Sequence, residues 1–389
     1  MCHWARARLD VTRDLAAMRE VRVLQPAAAM MAASAMRAAR LAALAWGCAA
    51  CGSVVVIESD AAKSDEGAEA PPEHVADAPE LDACAAGEPA STVAEARSPE
   101  GIALGDGHLF YTDGELYECD GAVHAVPLDG GPPFVLAADR CSPGHLAYAD
   151  GHVFWLEYLS GSLYRVPLSG GAPEQIAGGM NWPGAIAIDQ HAIYLGDWET
   201  QALESKGRLW RVDRENGSVS VLATIVGIPA DIAVDEAFVY WTSSVGFLNG
   251  KENHDSSVMR IAKQGGPPTT LADGLAWPFG MARTGTRVVF AHSHDGEILS
   301  LSAGGGDLFE VAGGLVAPTD VAEDGGQIYF TTFDLPGAVL SVPLGGGAPA
   351  TIAMGVGAPD QIALGATCVY WTERYVDEEF NGRVRKAGR

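Results

Sequence analysis

The stretch Pro229-Ala-Asp-Ile-Ala-Val-Asp-Glu-Ala-Phe-Val-Tyr-Trp-Thr-Ser243 decides the fold. It opens on a proline followed, three residues on, by an apolar–alanine pair. It closes on a strand rich in aromatic and β-branched residues. The opening recurs as Pro99-Glu-Gly-Ile-Ala, Pro143-Gly-His-Leu-Ala, Pro183-Gly-Ala-Ile-Ala, Pro278-Phe-Gly-Met-Ala, Pro318-Thr-Asp-Val-Ala and Pro359-Asp-Gln-Ile-Ala, which makes seven copies. Their spacing of about 40 residues is that of a supersecondary repeat.

Each copy continues in the same order. An aromatic strand follows the anchor, as in Leu109-Phe-Tyr-Thr-Asp113, Val153-Phe-Trp-Leu-Glu157 and Val369-Tyr-Trp-Thr-Glu373. A third strand comes next, as in Leu163-Tyr-Arg-Val-Pro-Leu168, and then a Gly-Gly turn such as Gly170-Gly171 or Gly265-Gly266. Such turns need the positive φ that glycine supplies freely. A short fourth strand, as in Thr269-Thr-Leu-Ala272, ends the unit. Four strands at this period predict an all-β chain, a seven-bladed β-propeller of four-stranded antiparallel blades starting near residues 99, 143, 183, 229, 278, 318 and 359. A β-solenoid is the alternative, but its repeats are shorter.

Working outward, the seventh repeat reaches a third strand, Gly382-Arg-Val-Arg-Lys-Ala-Gly388, and shows no fourth after it. Pro89-Ala-Ser-Thr-Val-Ala-Glu-Ala96 aligns instead with the fourth strand at Pro267–Gly274. An N-terminal strand near Ser91–Ala96 is therefore expected to complete the last blade and remove the open sheet edges. The same topology brings Cys119 near Cys141 on the upper face, which carries the blade-to-blade links and the loops between second and third strands. It brings Cys84 near Cys368 on the lower face. Both pairs are expected to form disulfides, as in an oxidising compartment.

Residues 90–389 thus form the propeller. Residues 52–89, rich in Ala, Asp, Glu and Pro, read as an acidic, self-repelling linker. Residues 1–51 carry export features: Arg37 and Arg40, the apolar Leu41–Gly47, then Cys48-Ala-Ala-Cys51. Cys51 or Cys48 is the candidate lipidation site of a bacterial lipoprotein, periplasmic or on the cell surface. Residues 1–29 read as an upstream start, since Met30, Met31 and Met36 are alternative initiators.

The chain is 48% hydrophobic, with 47 Gly, 22 Pro and a formal net charge of −25. That charge excludes nucleic acid as a partner, because phosphate binding relies on Lys and Arg. It restricts membrane contact to a lipid anchor. A monomer that binds protein, peptide or carbohydrate is expected.

At Phe110-Tyr-Thr-Asp113, Tyr240-Trp-Thr-Ser243 and Tyr370-Trp-Thr-Glu373 the chain resembles the YWTD propeller repeats of lipoprotein-receptor-type ectodomains. The resemblance covers most of residues 91–389 and implies an interaction module. It departs in blade number, six in that family, and in the variable fourth motif residue. The layout is also similar to seven-bladed streptogramin-lyase-type propellers, with no match to a lyase site.

Two sets of positions are expected near the upper channel mouth. The residue two past each anchor Pro gives Gly101, His145, Ala185, Asp231, Gly280, Asp320 and Gln361. The residue closing each second strand gives Asp113, Glu157, Asp197, Ser243, His292, Thr332 and Glu373. The second set reads either as an acidic rim for a divalent cation or a basic or hydroxylated ligand, or as acceptors for loop N–H groups. His292-Ser-His294 places two imidazoles at metal-ligand spacing. Upper loops are extended at Trp198–Gly207, Gly246–Ser257 and Arg374–Gly382, with Trp198, Phe247, Tyr375 and Phe380 as candidate contact aromatics. Two functions follow: a binding module working through these loops, or a metal-assisted lyase or lactonase using Asp231, Asp320, His145 and His292.

Overall fold

The computed structural model describes residues 82–199, 206–245, 255–375 and 381–389. These residues form seven four-stranded antiparallel sheets and contain no helix. The chain is a seven-bladed β-propeller. Blade 4 is typical: its inner strand Ile228–Val234 pairs with Phe238–Ser244, then come Ser256–Ala262 and the outer Thr269–Leu275.

The aromatic second strand is an inner strand of each blade and is covered on both sides, so the residues at its middle, such as Val239, Tyr240 and Trp241, are consecutive apolar residues. Side chains alternate between the two faces. In blade 4, Val239 and Trp241 pack with Tyr194, Leu209 and Ile232 toward blade 3, whereas Tyr240 packs with Val288, Phe290 and Met281 of blade 5. Among the described residues seven such clusters occur, one at each interface between neighbouring blades. The core is therefore a ring of interfaces around the channel.

The ring closes as the repeats imply. Ser91–Arg97 pairs antiparallel with Asn381–Gly388 and forms the outer strand of blade 7, with Cys368–Glu373 and then Pro359–Leu364 following inward from Asn381–Gly388. Both disulfides are formed, Cys84–Cys368 and Cys119–Cys141. Asp82 and Cys84, assigned by composition to the linker, lie against the lower turn of blade 7, where the Cys84 N–H donates to Thr367 Oγ1 at 3.0 Å.

Candidate functional site at the channel mouth

The threonine of the aromatic motif positions the inner ring. Just past the anchor Pro the inner strand bulges, with a register shift between Pro229 and Asp231. The Thr242 hydroxyl accepts the Asp231 N–H at 3.1 Å and donates to the Phe279 carbonyl of the next blade at 2.8 Å. Thr331 repeats both contacts with Asp320 N and Asp360 O. Thr112 and Thr372 accept from Gly101 N and Gln361 N. This clip fixes the inner residue of four blades.

The inner set is brought together. His145, Asp231, Asp320 and Gln361 line a central cavity of about 200 Å³ among apolar residues such as Ile102 and Ile186. The two carboxylates also tie blades together. Asp231 accepts the N–H of Ile232 at 2.8 Å and of Met281 in blade 5 at 2.7 Å. Asp320 accepts from Val321 at 2.8 Å and from Ile362 in blade 7 at 3.0 Å. Gly280 stands between these two blades because a Cβ there would lie 2.2 Å from Asp320 Oδ1. Gln361 Nε2 donates to His145, 3.1 Å from Nδ1.

Burial dominates the ionisation of this layer. It pushes the Asp231 carboxyl up to about 6, against the pull of its two N–H donors. Asp320 is pushed well above the usual range, by burial first and then by the Asp231 charge. Burial also lowers His145, keeping its imidazole neutral.

A second polar layer lies above, and motif reading missed it. It is built from residues one past the anchor Pro and one past the strand-closing position. Arg374, whose side chain is 5% exposed, pairs with Glu100 and lies 3.3 Å from Asp360 Oδ2. Burial raises the Asp360 carboxyl to about 6, with Arg374 opposing and Glu100 adding to the shift. The Tyr158 hydroxyl bonds Glu100, and burial, then the Glu100 charge, push its titration far up. Its ring lies over Gly144, where a Cβ would come within 2.6 Å of it. A sequence signal existed: Arg374 is the one cation at its repeat position, and Glu100 and Asp360 the two acids at theirs.

Around this layer the upper loops supply rings. Trp182 touches Tyr117 at 5.4 Å between centroids, Tyr158 at 6.0 Å and Trp198 at 6.1 Å. All four are half-buried. Tyr375 meets Phe333 at 6.5 Å. Trp198 and Tyr375 are thus placed at the mouth, while Phe247, Phe380, Cys48 and Cys51 lie outside the described residues.

The strand-closing residues are not assembled into an acidic rim. Asp113, Asp197, His292 and Glu373 each accept the N–H two residues before the anchor Pro of their own blade: Arg97, Asn181, Ala276 and Gly357. Cations occupy what remains. Asp197 receives Arg208 at 2.6 Å, and Glu373 receives Arg383 at 2.7 Å and Arg385 at 3.4 Å. Asp113 faces Arg97 and His124, both at 3.5 Å. Glu157 takes Trp155 Nε1 at 3.2 Å and Ser160 at 3.0 Å. In these four blades Asp113, Asp197, His292 and Glu373 close the turn that enters the blade, a task any acceptor performs, which explains histidine at the position.

His292 and His294 differ in their surroundings: the ligand atoms of His292, Asp295 and Glu297 lie within 4.8 Å of one another, a group that could hold a metal ion and that does not include His294. His292 Nε2 accepts from Ala276 N at 3.0 Å, and Nδ1 lies 3.1 Å from Glu297 Oε2, to which it donates. A cation at His292 would therefore displace the Nδ1 proton or the Ala276 contact. His294 lies 3.9 Å from Asp295. His292 is not among the cavity residues, so the set expected for a lyase, Asp231, Asp320, His145 and His292, is not gathered in one place.

No protein-family model and no curated protein matches the sequence. Among solved structures, a catalytically inactive variant of virginiamycin B lyase from Staphylococcus aureus with quinupristin has TM-score 0.60 at 16% identity, covering 76% of this chain and 98% of that one. The computationally designed Ika8 protein has TM-score 0.53 at 14% identity, covering 73% and 83%. A nidogen/laminin complex chain has TM-score 0.47 at 19% identity, covering 61% and 89%. For the lyase variant and the designed protein the likeness is one of fold, that of the β-propeller already described.

Proposed function

We propose that this chain is an exported, lipid-anchored binding module that recognises its ligand at the upper mouth of the propeller. The observation that carries the reading is the run of touching rings Tyr117, Trp182, Trp198 and Tyr158 beside the Glu100–Arg374 pair. Aromatic rings give large contact area at low entropic cost and are favoured at recognition surfaces. The channel itself is a poor alternative: its cavity of about 200 Å³ falls below the roughly 300–1,000 Å³ of ordinary small-molecule sites. Its carboxylates, moreover, are engaged by backbone N–H groups.

Export is supported by the two disulfides and by the basic, apolar and Cys48-Ala-Ala-Cys51 segments in order. Labelling with a fatty-acid analogue in a bacterial host tests the anchor. Label lost in Cys51→Ala or in Cys48→Ala identifies the acylated residue, and label retained in the double variant rejects it. For the mouth, oxidative footprinting of the full chain against peptide and oligosaccharide panels should protect Trp182 and Trp198. A ligand that protects only lower-face residues would reject the reading.

A further inference from the structure

We propose, resting on that reading of the mouth, that its ligand is a basic peptide, with an arginine or lysine side chain taken between the rings and Glu100. The segments around three of the rings are rich in carboxylates. Asp113, Asp120, Glu157 and Asp197 already face Arg97, Arg140 or Arg208, and Glu118 and Glu199 add acidity beside the rings. Tyr117 lies in Asp113-Gly-Glu-Leu-Tyr-Glu-Cys-Asp120, Tyr158 follows Glu157, and Trp198 sits between Asp197 and Glu199. Ring faces are electron-rich and attract ammonium or guanidinium groups, tryptophan most strongly. With a net charge of −25, the protein also steers a cation toward itself.

A second observation is independent of surface charge. The Glu100 side chain is 8% exposed, and its Oε2 is buried without a hydrogen-bond partner among the described residues. A carboxylate oxygen in that state is costly unless a donor reaches it. Tyr158, whose hydroxyl bonds Glu100 and whose ring touches Trp182, ties this acceptor to the aromatic cluster. Next to it, Arg374 Nε is likewise buried and unpartnered among the described residues. The two unmet groups call for one ligand that brings both a donor cation and an acceptor. A peptide does so, the side-chain cation serving Glu100 and a backbone carbonyl serving Arg374. A bare metal ion supplies no acceptor, and an acidic peptide supplies no cation.

The test uses the full chain and a fluorescent arginine–glycine octapeptide, read by anisotropy at about 0.15 M salt, where exposed charges are screened beyond about 8 Å. The same peptide with citrulline in place of arginine keeps the shape and loses the charge. Binding of the arginine peptide should exceed that of the citrulline peptide, and should fall roughly fivefold or more in Trp182→Leu. It should be partly retained in Trp182→Phe and weakened in Glu100→Gln, with melting curves reporting the fold of each variant. Should Trp182→Leu misfold, Trp198→Leu carries the same comparison. Equal affinity of wild type and a folded ring variant would mean diffuse attraction to an acidic protein and would overturn the inference. If instead a neutral oligosaccharide or the citrulline peptide binds in a Trp182-dependent way, the inference falls while recognition at the mouth stands. Failure of every probe to bind overturns the inference too, and the footprinting then decides the mouth separately.

Discussion

Asp82 fills the place of a side chain that Gly365 lacks. In blades 3 and 4 an aspartate five residues before the motif tyrosine caps the lower turn. Asp189 accepts from His191 N, Ala192 N and Tyr194 Oη, and Asp235 accepts from Ala237 N, Phe238 N and Tyr240 Oη. In blade 7 that position is Gly365, five before Tyr370. The Asp82 carboxylate arrives from the N-terminal segment, accepting Ala366 N at 2.8 Å and Tyr370 Oη at 3.4 Å. A Cβ on Gly365 would lie 2.1 Å from Asp82 Oδ1, so the glycine makes the room. The same segment carries Cys84 to Cys368, so ring closure has three components: a strand, a disulfide and a carboxylate.

Asp82→Ala should therefore destabilise the propeller by about 1–2 kcal/mol, the scale of lost hydrogen bonds to a charged acceptor. Adding Gly365→Asp to that variant should restore much of the loss by returning the carboxylate to its own blade. Thermal melts of the single and double variants check this, and a double variant no better than Asp82→Ala would refute the equivalence.

Removing Cys84–Cys368 should cost more than removing Cys119–Cys141. The sequence separations are 284 and 22 residues. In the chain-entropy description the difference amounts to about 2 kcal/mol. Denaturant midpoints of the two Cys→Ala pairs give the comparison, and equal losses would show that native contacts outweigh loop entropy.

Arg374→Ala should be among the most damaging single changes, at about 3–5 kcal/mol, because Glu100 and Asp360 would stay buried without their cation. Adding Glu100→Gln and Asp360→Asn should recover stability although it removes further native groups. Urea titration of the single and triple variants distinguishes a charge effect from lost packing.

The pH dependence follows from Asp231. Its folded-state value near 6 lies above the reference 3.8, so between those values the folded protein binds more protons than the unfolded chain. Stability from this group is complete below about pH 4 and is lost as pH rises through 6. Asp320 and Asp360 act in the same direction, and His145, lowered by burial, acts in the opposite one. Comparing wild type with Asp231→Asn leaves Asp360 and His145 largely common to both. Wild-type stability relative to the variant should rise as pH falls from 7 to 4. A difference that stays flat across that window would show that Asp231 is ionised throughout.

Blade number, strand order and closure were legible because each rests on local chemistry that repeats: Pro at the link, aromatic residues in the central strand, Gly-Gly at the turn. Ser91–Arg97 could be placed because it carries the pattern of a fourth strand. The inner ring was legible too, since Asp231, Asp320, His145 and Gln361 share one offset from the anchor. The strand-closing acids were misleading because an acceptor at a strand end looks the same whether it serves a ligand or a loop N–H. Only the register, which sets Asp197 opposite Arg208 and Glu373 opposite Arg383, assigns them to the blade.

Spacing along one chain was enough to establish the repeat, the architecture and the pairing of cysteines. Which polar groups are consumed, and which are left over, was settled by folding. Arg374 lies far in sequence from Glu100, and Tyr370 from Asp82, and blade 7 meets the N-terminal segment and blade 1 only when the ring closes. Their charges and rings acquire partners through burial and distance, which a linear pattern does not encode.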